Sequence, residues 1–173
     1  MDFSTLRTVH ALHRPHFFAP LGNAPHLTSL GIPPSHIHIL DWWEDAAITV
    51  PLSPAEQGAT TAPVKGPFVL TCTPSQHTSN RGAFDRAHTL WASWAVSEEL
   101  PAEASESEPK RAPRKVYFGG DTGYRTVFES EDEDAVPRCP AFREIGERFG
   151  EFDLALLPIG CVRGSDLCEE KEG

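Results

Sequence analysis

Phe68-Val69-Leu70-Thr71-Cys72-Thr73-Pro74-Ser75-Gln76-His77 is the stretch on which the fold turns. Its first six residues are apolar, β-branched or small and read as a strand. Pro74 has no N–H to give a ladder, so the strand stops there and His77 is delivered just beyond its end in a loop with little backbone freedom. The same grammar returns at Lys115-Val116-Tyr117-Phe118-Gly119-Gly120-Asp121. There a strand ends in two glycines that allow a tight turn and aim a carboxylate outward. Singly, a loop histidine is surface decoration more often than a ligand, and an aspartate in a turn is usually only a turn former.

Working outward from 68–77, the N-terminal side alternates helix and strand. Ser4 or Thr5 is placed to cap a helix with Leu6, Val9 and Leu12 at helical spacing, ended by Pro15. His16 to Pro20 reads as a short buried strand. A helix over 24–30 is stopped by Gly31 and the Pro33-Pro34 pair, and a strand follows at Ile37 to Leu40. Asp41-Trp42-Trp43-Glu44 then turns into Ile48-Thr49-Val50, and 51–66, rich in Pro, Ala, Thr and Gly, reads as a loop.

On the C-terminal side, 74–88 reads as a polar loop and Thr89 to Val96 as a strand. Residues 98–114 are too poor in apolar side chains to offset the entropy of ordering them, which predicts a floppy hairpin insertion. After the strand at 115–118 a second acidic insertion spans 126–137. Pro140 opens a helix with Phe142, Ile145 and Phe149 on one side, capped by Gly150, and Leu154 to Leu157 gives a last buried strand. Strands outnumber helices and the two interleave, which predicts an α/β fold of the α+β type: a mixed sheet with flanking helices.

The 173 residues suit one domain or a piece of one. A formal charge of −10 argues against nucleic-acid binding, where a basic stripe supplies the affinity, and gives no long-range attraction to anionic lipid. A phosphate-bearing ligand would therefore need a local positive centre, and a metal ion is the most compact one. There is no apolar run of membrane-spanning length and no secretory or transit pattern at the N-terminus. Cys72, Cys139, Cys161 and Cys168 form no C-x2-C pair, so reduced thiols are expected rather than a disulfide scaffold or a four-cysteine zinc site.

In order along the chain, Leu40-Asp41-Trp42-Trp43-Glu44, Thr71 to His77, Leu90-Trp91-Ala92-Ser93-Trp94, Gly120-Asp121-Thr122-Gly123-Tyr124 and Cys139 to Gly146 make a collinear series, continued by Phe152 to Ala155 and Pro158-Ile159-Gly160. The series resembles metallo-β-lactamase-type hydrolases, and more closely the branch containing N-acylphosphatidylethanolamine-hydrolysing phospholipase D. The resemblance covers residues 2–160 apart from the loops at 51–66, 98–114 and 126–137. It implies a partial αββα sandwich, with 1–160 an incomplete domain of that kind and 161–173 a divergent tail. It implies zinc as cofactor, two ions sharing a hydroxide that attacks a phosphodiester. His77 matches one histidine ligand of that centre and Asp121 its bridging carboxylate.

The family's His-x-His-x-Asp-His cluster and its final histidine have no counterpart here. The expectation is thus a fragment, truncated at both ends and inactive as it stands. The implied substrate is an N-acylated phosphatidylethanolamine, split into N-acylethanolamine and phosphatidic acid, and the implied location is mitochondrial or membrane-associated. The alternative is a noncatalytic α/β module that acts through protein contact. Neither the oligomeric state nor the acyl preference is legible.

Other polar groups make weaker cases. His36 and His38 are spaced to share a strand face, and His10 and His13 to meet on a helix, but both pairs read as solvated faces. Trp42 and Trp43 read as packing rather than a lipid-facing surface. No spacing supports Asp85, Arg86 and His88 as acid–base partners of His77. Ser75 lacks the Gly-x-Ser-x-Gly setting of a nucleophile, and 119–123 is no dinucleotide fingerprint.

Overall fold

The computed structural model describes residues 2–50, 67–77, 88–100 and 112–158, apart from 126, 128, 129 and 133. Among the described residues three α-helices, α1 (Phe3–His13), α2 (Ala24–Ser29) and α3 (Ala141–Phe149), accompany seven strands: β1 (Phe17–Pro20), β2 (Ile37–Leu40), β3 (Asp45–Ile48), β4 (Phe68–Pro74), β5 (Ala92–Glu98), β6 (Lys115–Phe118) and β7 (Leu154–Leu156). β1 and β2 pair in parallel as a two-stranded sheet, while β3-β4-β5-β6-β7 form a mixed sheet in chain order. The first four strands of that sheet are antiparallel to their neighbours, and β7 joins β6 in parallel. This is the mixed α+β architecture that the alternation of patterns predicts.

The N-terminal elements close around Ala19, Leu27, Leu30 and Ile32, with Leu6, Phe17, Ile37 and Ile39 packed against them. α1 is capped two residues or more earlier than expected. Asp2, not Ser4 or Thr5, is the N-cap, and its carboxylate accepts from the N–H groups of Ser4 and Thr5. A carboxylate satisfies two orphan donors at once, where a hydroxyl serves one. The hydrogen bonds from Thr5, then those from Ser4, lower its pKa to about 2.

The second core lies between the five-stranded sheet and α3. Ala95, Tyr117 and Ile145 are buried there, with Trp43, Phe142, Phe149 and Phe152 around them. Ala95 and Tyr117 are register partners on β5 and β6, so they share one sheet face. α3 runs from Pro140 to a cap at Gly150 with φ +66°, a left-handed value that glycine accepts without strain. The Lys115 ammonium donates to the Phe149 carbonyl and so ties the end of α3 to β6.

Several boundaries differ from the sequence reading. β3 begins at Asp45 and ends at Ile48, because Asp45 pairs with Thr71 and its carboxylate accepts the Thr71 hydroxyl at 2.5 Å. β5 starts at Ala92, not Thr89. The Leu90 N–H instead donates to the Leu21 carbonyl (2.8 Å), and the Trp91 carbonyl accepts Trp42 Nε1–H (2.7 Å). β1 is half-buried apart from Ala19. The last strand is not buried at all: Leu154 and Leu156 are about half exposed at the sheet edge. An apolar run cannot by itself distinguish a covered strand from an uncovered one.

The expected loops at 51–66 and the tail at 161–173 lie outside the described residues, as do most of 78–88 and 98–114. The base of the latter is closed by the Glu98 N–H on the Arg114 carbonyl at 2.9 Å. The described part of 126–137 is irregular and largely exposed. Trp42 and Trp43 are half-buried and pack within the protein. Trp42 meets Trp91 edge-on at 6.1 Å, and the Arg148 guanidinium sits 4.0 Å above the Trp43 ring.

Cys72 is fully buried on β4, and it and Cys139 are free thiols. Burial, reinforced by the charges of Asp41 and Glu44, pushes the Cys72 thiol from 9.0 up to about 12. Below about pH 9 the thiol is protonated in both folded and unfolded chains. Between about 9 and about 12 only the unfolded chain releases the proton, so stability falls with rising pH across that window. Urea unfolding between pH 8 and 11 is expected to show this decline, and Cys72→Ala to flatten part of it. An equal decline in that variant would assign it to other groups.

Candidate functional site

The two strand ends singled out by the sequence converge. β4 and β6 flank β5 in the sheet, and the chain leaving β4 pairs with the chain leaving β6 through an isolated antiparallel bridge, Gln76 to Gly123. The Gly123 N–H donates to the Gln76 carbonyl at 2.8 Å, and the Gln76 N–H donates to the Thr122 hydroxyl oxygen at 2.8 Å. Gln76 precedes His77 and Thr122 follows Asp121, so this clasp fixes the two side chains relative to each other. His77 Nε2 lies 3.0 Å from Asp121 Oδ2.

The clasp is anchored from below. Ser93 on β5 is fully buried, and its hydroxyl donates to the Pro74 carbonyl at 2.8 Å while sharing a 2.8 Å hydrogen bond with the Thr73 hydroxyl. A hydroxyl pair inside a sheet holds the end of β4 at a defined height, because unpaired buried polar groups cost roughly 1–3 kcal/mol each. The sequence carried no signal for Thr122 or Ser93. A threonine after an aspartate and a serine within a strand are unremarkable until the register brings them beside the loop.

Asp121 faces solvent, with 88% of its side chain exposed, and His77 is 38% exposed. At this exposure the contact adds little to stability. The same loop holds the Ser75 hydroxyl and the Gln76 side-chain carbonyl, both buried and without a hydrogen-bond partner among the described residues. His88 is exposed, and Asp85 and Arg86 lie outside the described residues.

An imidazole nitrogen and a carboxylate oxygen converging at a loop surface are donors that zinc accepts. They make two ligands where a closed zinc site needs four. Among the described residues no group of three or more His, Cys, Asp or Glu side chains is arranged to hold a metal ion. The described pair has donor chemistry that a metal ion accepts, and by itself does not make a metal site.

The model of the beta-lactamase superfamily domain matches residues 1–168. The chain belongs to the metallo-β-lactamase superfamily. An uncharacterized protein of Mycobacterium tuberculosis (strain ATCC 25618 / H37Rv) is 31% identical over 160 residues, which is 92% of this chain and 31% of that protein. The N-acyl-phosphatidylethanolamine-hydrolyzing phospholipase D 1 of Caenorhabditis elegans is 37% identical over 93 residues, 54% of this chain and 19% of the nematode protein. The outer membrane protein RomA of Klebsiella pneumoniae is 29% identical over 98 residues, 57% of this chain and 53% of that protein. The chain thus spans only a part of each of these superfamily relatives. Within the superfamily, the chain is hydrolase-like in fold and resembles the nematode phospholipase D over about half its length.

Proposed function

We propose that this chain carries part of the metal centre of a zinc-dependent phosphodiester hydrolase acting on N-acylated phosphatidylethanolamine. The observation that supports the reading is the 3.0 Å approach of His77 Nε2 to Asp121 Oδ2 across two strand-end loops, in a chain related to a phospholipase D of that specificity. Bound zinc would supply a Lewis acid for a phosphoryl oxygen and water of lowered pKa. His77 would contribute an imidazole nitrogen and Asp121 a carboxylate oxygen, while Thr122 and Gln76 keep the two loops in register. With two ligands in the described residues, the chain alone holds zinc weakly and turns over slowly or not at all.

Zinc titration followed by phosphodiesterase assay on vesicles containing N-acylphosphatidylethanolamine tests this. His77→Ala and Asp121→Ala are each expected to weaken zinc binding about tenfold or more, and Thr122→Val to weaken it less, with Thr122→Ser restoring it. Zinc affinity indifferent to both His77 and Asp121 would remove the proposal.

One observation favours the noncatalytic alternative, a module that acts through protein contact. Val116 and Phe118 on β6 and Leu154 and Leu156 on β7 are register partners on one sheet face, and each is between 36% and 51% exposed. An apolar patch of this kind marks a contact surface. A chain that binds no zinc and whose association in ultracentrifugation is abolished by Phe118→Asp would be this module instead.

A further inference from the structure

Two strand edges stay open among the described residues. β2 has β1 as its one neighbour, and β3 is the outermost strand of the five-stranded sheet. The turn between them is tight, with the Glu44 N–H donating to the Asp41 carbonyl at 3.2 Å, and on either side of it the two strands belong to different sheets. A groove of about 590 Å³ lies there, lined by all four residues of β2 and by Glu44, Asp45 and Ala46.

The lining tells which part of each strand meets the groove. Side chains alternate between the faces of a strand, so a groove that touches four residues in succession runs along an edge and not over one face. β1 holds one edge of β2, which leaves the other to the groove. The main-chain groups on that edge follow from the pleat. The Leu40 carbonyl accepts the Leu21 N–H at 3.2 Å on the β1 side. The N–H and C=O of one residue point the same way and alternate along a strand, so His38 and Leu40 face β1 while Ile37 and Ile39 face the groove. The Pro34 carbonyl takes the Ile37 N–H. The edge thus offers the Ile37 carbonyl and both main-chain groups of Ile39. Across the groove the Glu44 carbonyl accepts the Cys72 N–H at 3.0 Å on the β4 side, so by the same rule Asp45 turns its main chain outward.

The groove is also acidic. Glu44 and Asp45 are exposed, and their carboxylates accept from neutral donors, the Asp41 N–H at 2.7 Å and the Thr71 hydroxyl at 2.5 Å. Among the described residues neither has a lysine or arginine partner. His36 closes the 3-10 turn Pro34–His36 ahead of β2 and does not lie on the strand. The His38 ring is engaged elsewhere: its Nε2 is 2.8 Å from His16 Nδ1, and it stacks on Phe18 at 4.6 Å. The net charge of −10 has the same sign as the groove. Exposed edges are ordinarily blunted by lysine, proline or a bulge, and Ile37–Leu40 has none of these.

We propose that this groove binds an extended basic segment of another protein, which adds as a strand to the open edge of β2 and sets lysine or arginine side chains against Glu44 and Asp45. Main-chain pairing at Ile39 supplies the register, and the two carboxylates select the charge. The groove shares no residue with the loops of His77 and Asp121, and the proposal stands whether or not those loops hold zinc.

The test titrates the full chain with the blocked hexapeptide Lys-Val-Lys-Val-Lys-Val, its Glu-Val counterpart and a form with every main-chain amide N-methylated. The Lys-Val peptide is expected to bind and the Glu-Val peptide not. N-methylation is expected to weaken binding about fivefold or more, through lost main-chain hydrogen bonds. The double variant Glu44→Gln, Asp45→Asn is expected to weaken it about fivefold. Its side-chain carbonyls still accept from the Asp41 N–H and the Thr71 hydroxyl, so the fold is kept. Hydrogen exchange at the Ile39 amide is expected to slow when the Lys-Val peptide is bound. Failure of that peptide to bind, equal binding of the N-methylated form, or unchanged exchange at Ile39 in the complex overturns the proposal. So does exchange at Ile39 that slows with rising concentration of the chain alone, which would make a second copy the occupant.

Discussion

Gly22→Ala is expected to destabilise the fold by about 3 kcal/mol, the sum of a left-handed backbone penalty of about 1 and an overlap cost of about 2. Gly22 has φ +86°, and a methyl there would collide with the His88 carbonyl oxygen and stand 2.9 Å from Thr89 Cα. Those are main-chain atoms, which cannot swing aside as a side-chain tip can. The turn at 21–22 is also where the Leu21 carbonyl takes the Leu90 N–H at 2.8 Å. A methyl at 22 pushes this junction apart and releases the approach to β5. Gly31 provides the control. It too has positive φ, at +82°, but nothing lies within 4 Å of a methyl placed on it. Gly31→Ala should therefore cost only the backbone part, about 1 kcal/mol. Urea midpoints with unchanged slopes measure both, and equal losses would show that the contact with 88–89 contributes nothing.

Ile145→Ala is expected to cost about 3 kcal/mol as well, within the range of roughly 2–5 for deleting a buried branched side chain. Ile145 is 4% exposed and packs against Ala95 and Tyr117, with the rings of Phe142, Phe149 and Phe152 about it. Its place cannot be filled from the sheet side. Ala95 is already a methyl, and Tyr117 is held at its register position in β6. The cavity thus stays open, which puts the loss toward the middle of the range rather than its lower end. For a chain of this size a melting temperature lower by about 6–12 °C is the corresponding readout. Leu154→Ala, at a side chain 51% exposed on β7, should lower it far less. Comparable losses at 145 and 154 would mean that the second core is not centred on α3.

The parts of this fold that were legible in the sequence are those where one residue's chemistry leaves little choice. Pro74 and the Gly119-Gly120 pair mark strand ends because of what their backbones can and cannot do, and Gly150 marks the end of α3 for the same reason. His77 and Asp121 could be picked out because they follow those ends. Their 3.0 Å meeting was not written in either segment; it depends on β5 lying between them and on the Gln76–Gly123 bridge. Strand limits at β3 and β5 were misplaced where tertiary hydrogen bonds from Asp45, Leu90 and Trp91 outweigh local preference. The His16–His38 contact was missed because period-two alternation looks along one strand, and this contact crosses between two.

The Glu98–Arg114 main-chain bond bears on engineering. Because β5 and β6 are tied to each other at that point, the polypeptide running between them can be exchanged for a short Gly-Ser link or for a reporter peptide. Ring-closure entropy varies only slowly with length. Such a graft lies at the end of β5 remote from Ser93 and the clasp, which makes 100–113 the place to carry a fluorophore or affinity handle through the zinc titration.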